Sequence, residues 1–233
     1  MIIPHGESDA VLLDSDLTTI PGGYVEETLH IDPLVFKYLR PTEPDGILAI
    51  PEIVERFDRD GDAPYWAHVW PPGGDMARAV YHADWPDETT VLEIGCGAGL
   101  VSLGAAARRW PVVVSDNQPE AVRLAAVNAA RNGLVVEELV LDWRHPLDRQ
   151  FDRILGCDVT YDDALHAPLL DVLARMLAPG GEIWLADFGR LHAPLFAQRA
   201  RAAGFDVTLV DAQDQPLKEF QTAKYQLLKL RRS

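Results

Sequence analysis

Short apolar runs and helical stripes alternate through most of the chain. Residues 91–94 are apolar except for Glu93 and are followed by Gly, and residues 112–114 are an entirely β-branched run, as is typical of strands buried on both faces. After Pro119, apolar residues recur at i, i+3, i+4 and i+7 from Val122, which predicts an amphipathic helix that ends at a left-handed Gly133. This alternation predicts an α/β protein with a mostly parallel sheet and helices on both faces.

The remaining elements are predicted from the same two patterns, which are short apolar runs for strands and apolar residues at helical spacing for helices. Strands are predicted over residues 135–141, 151–155, 182–186, 205–210 and 225–230, and helices over 100–109, 165–176 and 191–203. Residues 179–181, Pro-Gly-Gly, are predicted to turn the chain into the strand at 182. No helix separates the last two strands, so one of them is expected to run antiparallel.

The first 63 residues have a different character. Pro, Gly and Asp recur in residues 40–46 and 58–62, which are turn and breaker signals. We interpret residues 1–63 as an N-terminal extension or cover and residues 64–233 as the main domain. Within the extension, the apolar residues 46–50 are predicted to form part of a hairpin or to cover a sheet edge. Residues 58–62 lack the later Glu of a calcium loop, so a solvated turn is favoured.

The composition and charge argue against several classes of function. The chain of 233 residues has 21 Lys and Arg against 36 Asp and Glu, a net charge of −15. Such an acidic protein gains nothing from counterion release on DNA or RNA and is repelled by anionic membranes. We see no membrane-spanning run, and residues 1–7 lack the basic start and apolar core of a secretory signal. With only two Cys, we expect a reducing, cytoplasmic setting and free thiols at Cys96 and Cys157.

A glycine-rich turn joins the first strand of the main domain to the helix that follows. Glu93 precedes Gly95, Gly97 and Gly99, whose small size lets the backbone approach a ligand near the free N–H groups of the helix. The dinucleotide fingerprint would place its third glycine at position 100, where Leu100 stands. This spacing counts against an NAD-dependent oxidoreductase.

Acidic residues follow the next two strands. Asp116 is placed to accept hydrogen bonds from both hydroxyls of a ribose, and Asp142 from an exocyclic amine, while Trp143 offers a wall for a purine face. Asp116 and Trp143 each have a structural alternative, the first as a helix-capping acid and the second as a half-buried aromatic residue. Together, at successive strand ends, the three residues predict an adenosine site at the switch point of the sheet.

These motifs resemble those of a known family. Residues 91–99, with Asp116 and Asp142-Trp143, resemble a class I S-adenosylmethionine-dependent methyltransferase. The resemblance implies S-adenosylmethionine as cofactor and a Rossmann-like, doubly wound sheet of seven strands in the order 3-2-1-4-5-7-6, with the last strand antiparallel. Further motifs resemble the seven-β-strand lysine methyltransferase group, which includes enzymes that methylate the electron transfer flavoprotein β-subunit; they are residues 64–71, 128–132 and 158–161.

The resemblance also implies site residues. Asp158 and Tyr161, the ends of an Asp-x-x-Tyr motif, are expected to be catalytic, with Asp158 accepting N–H bonds from an amine and Tyr161 positioning that amine. Val159 and Thr160 stand where enzymes that act on planar base or amide nitrogens have two prolines. The residues expected to contact the cofactor are Trp66, Trp70, Glu93, Gly95, Cys96, Gly97, Gly99, Asp116, Asn117, Asp142, Trp143 and Asp158.

No metal is expected, because methyl transfer to nitrogen requires none and the seven His residues show no metal-ligand spacing. We interpret the lone His68 as hydrogen-bonded structure. The function expected from the resemblance is protein-lysine N-methylation, with a protein lysine or a small amine as partner and neither nucleic acid nor membrane. Two alternatives stay open: a small-molecule N-methyltransferase similar to nicotinamide N-methyltransferase, and a non-catalytic module that binds S-adenosylmethionine.

Overall fold

The computed structural model describes residues 14–61 and 63–233. The expectation about a secretory signal in residues 1–7 lies outside the described residues. The solvated turn predicted at residues 58–62 is wrong for residues 58–60, which form the exposed last turn of a helix that ends at a left-handed Gly61, and Asp62 lies outside the described residues. Within the two described ranges, no helix is long and apolar enough to cross a bilayer, and the longest helix has 13 residues.

An antiparallel hairpin occupies the N-terminal part of the described chain. It consists of β1 (Tyr24–Ile31) and β2 (Leu34–Pro41), which pair along their whole length. The prediction that residues 46–50 form part of a hairpin is wrong, and the alternative that they cover a sheet edge stays a prediction. Pro44–Ala49 instead form a 3-10 helix that buries Ile47, because Pro44 is preorganised for the first helical position and Asp45-Gly46 favour a tight turn.

A seven-stranded sheet forms the main body of the molecule. Its strands are β3 (Val91–Ile94), β4 (Val112–Asp116), β5 (Glu137–Val140), β6 (Phe151–Cys157), β7 (Leu177–Asp187), β8 (Phe205–Val210) and β9 (Gln226–Arg232). They lie in the order β5-β4-β3-β6-β7-β9-β8, and all neighbours are parallel except that β9 runs antiparallel to β7 and β8. The predicted fold class and strand order are confirmed, and the strand order reverses between β3 and β6.

Helices cover both faces of this sheet. The α-helices of the described chain are α1 (Pro51–Asp60), α2 (Gly73–Tyr81), α3 (Leu100–Ala107), α4 (Pro119–Arg131), α5 (His166–Met176) and α6 (Ala193–Ala202). Leu92 and Ile94 of β3 pack into one buried cluster with residues of α5 and α6, whereas Val91 packs into a second cluster with residues of α2 and α3. Both faces are therefore covered by apolar packing, as the apolar residues of β3 and the Val112–Val114 run of β4 predict.

The predicted turn at residues 179–181 lies inside β7. Phe151 of β6 pairs with Leu177, and Arg153 pairs with Glu182, so β7 carries three more residues than β6 between the two pairs. Gly180 has a φ of 76°, which lets the extra residues bulge out of the ladder. Pro and Gly thus mark an irregularity within the strand and do not delay its start.

The hairpin is attached to the rest of the molecule by Asn128 of α4 and by Asn132, the residue that caps the end of this helix. Asn128 accepts a hydrogen bond from the backbone N–H of Leu39 at 2.7 Å and donates to the carbonyl oxygens of Leu39 and Ala98, both at 2.9 Å. Asn132, one turn later, bonds the N–H and carbonyl of Lys37 in the same way, at 3.0 and 2.7 Å. The edge of β2 is therefore paired with side-chain amides, and Asn128 also connects it to the glycine-rich turn.

Candidate functional site

A cavity opens at the carboxyl ends of β3, β4 and β6, where the strand order reverses. This is the position at which doubly wound sheets bind ligands. The segment 63–73, which precedes and begins α2, forms the opposite wall. The residues predicted from the sequence that line this cavity are Trp66, Trp70, Glu93, Gly95, Cys96, Gly97, Asp116, Asn117, Asp142, Trp143, Asp158 and Tyr161.

Gly99 is the one predicted cofactor residue outside this lining. Its φ is 76°, and a Cβ added there would lie 2.6 Å from the Cβ of Ala125. Gly97, by contrast, lines the cavity with a φ of 50°. The structure therefore gives Gly99 a packing role, in which its small size lets α3 begin against α4, while Gly97 presents backbone to the cavity.

Asp116 is a buried carboxylate at the end of β4. It accepts hydrogen bonds from the backbone N–H groups of Gly97 at 3.2 Å and Gln118 at 3.1 Å. Burial raises the pKa of Asp116 to about 6, and these amide hydrogen bonds limit the rise. The carboxylate thus connects the glycine-rich turn to the beginning of α4, and both of its oxygens keep lone pairs for a ligand.

Glu93 faces the start of α3. Its carboxylate accepts hydrogen bonds from the hydroxyl of Ser102 and, at 2.9 Å, from the N–H of the same residue. Gly99 at the N-cap has no side chain to cap this helix, so Glu93 takes over that task from the neighbouring strand. Burial raises the pKa of Glu93 to about 8.

Two buried polar atoms of the cavity wall have no hydrogen-bond partner among the described residues. They are the indole Nε1 of Trp66, a donor, and the amide Oε1 of Gln118, an acceptor. Buried polar groups are nearly always satisfied, so these two identify positions where a ligand can bind. Sequence reasoning selected Trp66 but missed Gln118, although Gln118 lies two residues after Asp116 in the same turn.

Asp142 and Trp143 lie after β5, as predicted. Asp142 accepts a hydrogen bond from the N–H of Arg144 at 2.9 Å, and its carboxylate lies 3.3 Å from Nδ1 of His145. Trp143 is half-buried against the main core cluster and also lines the cavity. The residue is therefore both a packing aromatic and a wall of the site, so the two interpretations of Trp143 are compatible.

A second cavity adjoins the first. It is lined by Tyr65, Trp70, Asp158, Tyr161, Arg190, Leu191 and His192, and its first four residues also line the first cavity. We call the first the cofactor cavity and the second the acceptor cavity. The predicted catalytic residues Asp158 and Tyr161 therefore lie on the wall that the two cavities share.

Asp158 is bound to an arginine that the sequence reasoning missed. Its side chain is only 1% exposed and accepts hydrogen bonds from Nε of Arg190 at 2.9 and 3.0 Å and from Nη2 of the same residue. The guanidinium of Arg190 also lies 4.7 Å from the ring centre of Trp70. Arg190 follows β7 as Asp158 follows β6, so neighbouring parallel strands bring them together.

Aromatic rings and thiols complete the walls. Tyr65 meets Tyr161 edge to face with ring centres 5.4 Å apart, and meets Trp70 at 6.1 Å.

Cys96 and Cys157 are unbridged and both line the cofactor cavity, and burial raises the pKa of each thiol well above its usual range. In the part of the chain that the structure describes, no group of three or more His, Cys, Asp and Glu is arranged to hold a metal.

His68 lies near an acid and an aromatic ring. Its Nε2 lies 3.4 Å from a carboxylate oxygen of Asp45, and its ring centre lies 5.5 Å from that of Trp70. The pair joins the 3-10 helix at Pro44–Ala49 to the cavity wall. His68 also lines the cofactor cavity, so its interpretation as hydrogen-bonded structure stays a prediction.

Comparison with known sequences identifies similar proteins. The sequence model of the lysine methyltransferase family matches residues 67–192. The chain is 34% identical over 146 residues to the bifunctional biotin biosynthesis protein of Bordetella avium, and 30% identical over 146 residues to a ubiquinone biosynthesis O-methyltransferase of Caulobacter vibrioides. These matches cover 59% and 60% of this chain, but 30% and 49% of the two relatives. The chain thus spans half or less of the length of these relatives.

Solved structures share the fold at low sequence identity. A TehB-like S-adenosylmethionine-dependent methyltransferase from Corynebacterium glutamicum has a TM-score of 0.58 at 16% identity, over 78% of this chain and 95% of that one. The glycopeptide N-methyltransferase MtfA, complexed with S-adenosylmethionine, has a TM-score of 0.56 at 14% identity, over 69% and 94%. At these identities the likeness establishes the fold alone.

Proposed function

Because the chain belongs to the lysine methyltransferase family, whose sequence model matches residues 67–192, we propose that it is a protein-lysine N-methyltransferase. It is a class I S-adenosylmethionine-dependent methyltransferase with S-adenosylmethionine as its cofactor. The family match carries the choice of lysine, and the finer resemblance to enzymes acting on the electron transfer flavoprotein β-subunit stays a prediction. A reducing cytoplasm suits the two unbridged cysteines of the cofactor cavity.

The cofactor cavity offers donors and acceptors that fit this cofactor. The unpartnered indole N–H of Trp66 suits the carboxylate of the methionine moiety, and the unpartnered oxygen of Gln118 suits a ribose hydroxyl or the adenine amine. Asp116 would accept ribose hydroxyls, with Asn117 beside it. Asp142 and Trp143 would hold the adenine ring.

The acceptor cavity supplies the environment for the nucleophile. When bound, S-adenosylmethionine supplies an electrophilic methyl group on a sulfonium sulfur. Oδ2 of Asp158 accepts from both Nε and Nη2 of Arg190, whereas Oδ1 accepts from Nε alone and keeps a lone pair, so Oδ1 can orient an N–H group of an amine. The rings of Tyr65 and Tyr161 make the shared wall apolar, which excludes water from the lone pair of that amine.

A protein substrate suits the surroundings of the acceptor cavity. Leu191 and Tyr65 line it and are 86% and 46% exposed, so apolar surface is available around the opening for a partner chain. The net charge of −15 attracts a basic segment over long distances, as a lysine-rich target provides. An acidic nucleic acid would be repelled, so we propose no nucleic-acid partner.

Label transfer into host extract tests the proposal. Purified protein is mixed with methyl-labelled S-adenosylmethionine and extract, and label is counted in acid-precipitated protein and in the soluble fraction. We expect label in a protein band, recovered as methyllysine after acid hydrolysis. Asp158→Asn should abolish it, whereas Asp171→Asn, which removes an exposed acid of α5, should leave it unchanged.

The other outcomes select the alternatives. Control-sensitive label only in the soluble fraction would replace the proposal with a small-molecule N-methyltransferase. Base-labile label in protein would point to oxygen as the methylated atom and contradict N-methylation. Absence of label from both fractions would contradict methyl transfer to any acceptor in the extract and favour a module that only binds the cofactor.

A further inference from the structure

The acceptor cavity already contains a fixed cation. The guanidinium of Arg190 lies between the carboxylate of Asp158 and the indole face of Trp70, where an alkylammonium ion would otherwise bind most strongly. Its pairing with Asp158 raises the pKa of Arg190, so the charge is permanent. An amine acceptor entering this cavity therefore meets a carboxylate whose charge is already balanced.

The backbone holds Arg190 in this position. The carboxylate of Asp187 accepts hydrogen bonds from the N–H groups of Gly189 at 2.6 Å and Arg190 at 2.9 Å, and from the hydroxyl of Thr160 at 2.8 Å. Gly189 has a φ of 81°, and a Cβ there would lie 2.4 Å from the carbonyl oxygen of Gln221. The loops after β6 and β7 are thus tied together, which fixes the arginine and argues against a gate that swings aside.

From this geometry we propose that Arg190 makes the acceptor cavity selective for an uncharged amine. The proposal deepens the proposed function and rests on it, since it concerns the same amine acceptor. An ammonium ion gains no net attraction from the neutral Asp158–Arg190 pair and is repelled by the guanidinium. A neutral amine keeps its hydrogen bond to Asp158 and avoids that repulsion, so Arg190 lowers the pKa of the bound acceptor.

The reaction then needs no base on the enzyme. The acceptor ammonium gives its proton to water before it enters the cavity. The nitrogen lone pair forms the new N–C bond while the C–S bond breaks, and sulfur keeps that electron pair. The product nitrogen carries a positive charge, which Arg190 repels, so the same residue favours product release. Arg190 is in this sense a specificity-determining residue, and Asp158 an orienting acceptor.

Other titratable groups must be controlled in a test. Besides the pair itself, the titratable and charged groups that face the acceptor cavity or the pair are Asp187, Tyr65, Tyr161, His192 and Cys157. The charge of an alkylguanidinium does not change between pH 7.5 and 9.5, so any pH dependence of its binding reports the titration of these protein groups. Burial and the charge of Asp158 raise the pKa of the Cys157 thiol well above its usual range, which keeps the thiol protonated.

Equilibrium binding of n-butylamine provides the test without turnover. The full-length protein is saturated with S-adenosylhomocysteine, and n-butylamine is titrated by calorimetry at pH 7.5, 8.5 and 9.5. For the unaltered protein we expect the dissociation constant, in total amine, to fall about tenfold per pH unit, as the free-base fraction of an amine with a lysine-like pKa rises. For Arg190→Gln we expect tighter binding at pH 7.5 and less than about threefold change across the range, because Asp158 then attracts the ammonium form.

Two controls separate charge from structure. Arg190→Lys keeps the cation and should keep the pH dependence, whereas loss of packing alone would affect both variants alike. The probe n-butylguanidinium stays charged throughout this range and should bind Arg190→Gln at least tenfold more tightly than the unaltered protein. Both variants should keep the affinity for S-adenosylhomocysteine, since Arg190 lies outside the cofactor cavity lining.

Three results would overturn the proposal: a flat pH dependence in the unaltered protein, an undiminished dependence in Arg190→Gln, or no amine binding to either. If Arg190→Gln does not fold, the pH dependence of n-butylamine binding to the unaltered protein and to Arg190→Lys still tests the proposal, since both keep the cation. Label transfer without this pH dependence would refute the role of Arg190 alone. The pH dependence without label transfer would refute the proposed methylation alone.

Discussion

The cofactor cavity and the acceptor cavity share a wall but are built in different ways. In the cofactor cavity, the two buried carboxylates Asp116 and Glu93 are held by backbone N–H groups of the loop and helices that follow the central strands. In the acceptor cavity, the main contacts join side chains to side chains, as in Asp158–Arg190 and Arg190–Trp70. Folding of the sheet therefore fixes the first cavity, while single side chains decide the chemistry of the second.

Asp158→Asn should give the largest effect, and although Asp158 lines both cavities we expect the substitution to lower methyl transfer more than cofactor affinity. An amide cannot balance Arg190 or accept as strongly from an amine, so we expect methyl transfer to fall about 10³-fold, equivalent to about 4 kcal/mol. Steady-state rates and the dissociation constant of S-adenosylhomocysteine are measured in parallel. A loss of cofactor affinity as large as the loss of rate would show that the two cavities do not separate at this residue.

Asn128→Leu should destabilise the protein and weaken cofactor binding from a position on α4, outside the sheet. It leaves the N–H and carbonyl of Leu39 and the carbonyl of Ala98 without their partners, so we expect a loss of about 3 kcal/mol in the free energy of unfolding and weaker cofactor binding. Asn132→Leu is the matched control, because Asn132 binds the same strand edge without contacting the glycine-rich turn. Chemical denaturation measures both variants, and equal cofactor affinity in the two would contradict the coupling.

Local sequence patterns predict some features of this molecule and miss others. Apolar periodicity and glycine spacing predict the parallel sheet and the position of Asp116, because both depend on residues close in sequence, whereas the strand order follows from the family resemblance. Arg190 and Gln118 gain their roles from tertiary neighbours, and no spacing rule marks them. The hairpin at residues 24–41 was missed because charged residues interrupt its alternation, and one edge of it is completed by α4. The family resemblance pointed to residues 128–132, and the structure gives a physical reason, because Asn128 and Asn132 bind the backbone edge of β2.

Gly99→Ala should test the packing behind the cofactor cavity, since Gly99 lies outside the cavity lining and lets α3 begin against α4. The added methyl group would meet Ala125 at 2.6 Å and would stand at a φ of 76°, so we expect a loss of about 2 kcal/mol in the free energy of unfolding. Gly133→Ala has a similar φ of 67° and nothing within 4 Å, so it isolates the backbone strain, about 1 kcal/mol. Thermal and chemical denaturation give the difference, and equal losses would remove the packing role of Gly99.

The pH dependence of cofactor binding should give the smallest effect and report on the cofactor cavity alone. Burial raises the pKa of Asp116 to about 6, above its value near 3.9 in an unfolded chain. The protonated form is therefore favoured on folding, and the stability it contributes is complete below pH 3.9 and is lost as pH rises through 6. Binding of ribose hydroxyls requires the ionised form, so affinity for S-adenosylhomocysteine should fall up to tenfold per pH unit below 6 and level off above it.

Asp116→Asn tests the assignment of this titration. The variant should bind S-adenosylhomocysteine more weakly at pH 7 and show no dependence between pH 5 and 7, whereas Arg190→Lys should follow the unaltered protein. Glu93 does not confuse the comparison, because burial raises its pKa to about 8 and it stays mostly protonated over this range. If Asp116→Asn kept the slope, a different group would control cofactor binding, and the buried carboxylate at the end of β4 would serve only to connect the glycine-rich turn to α4.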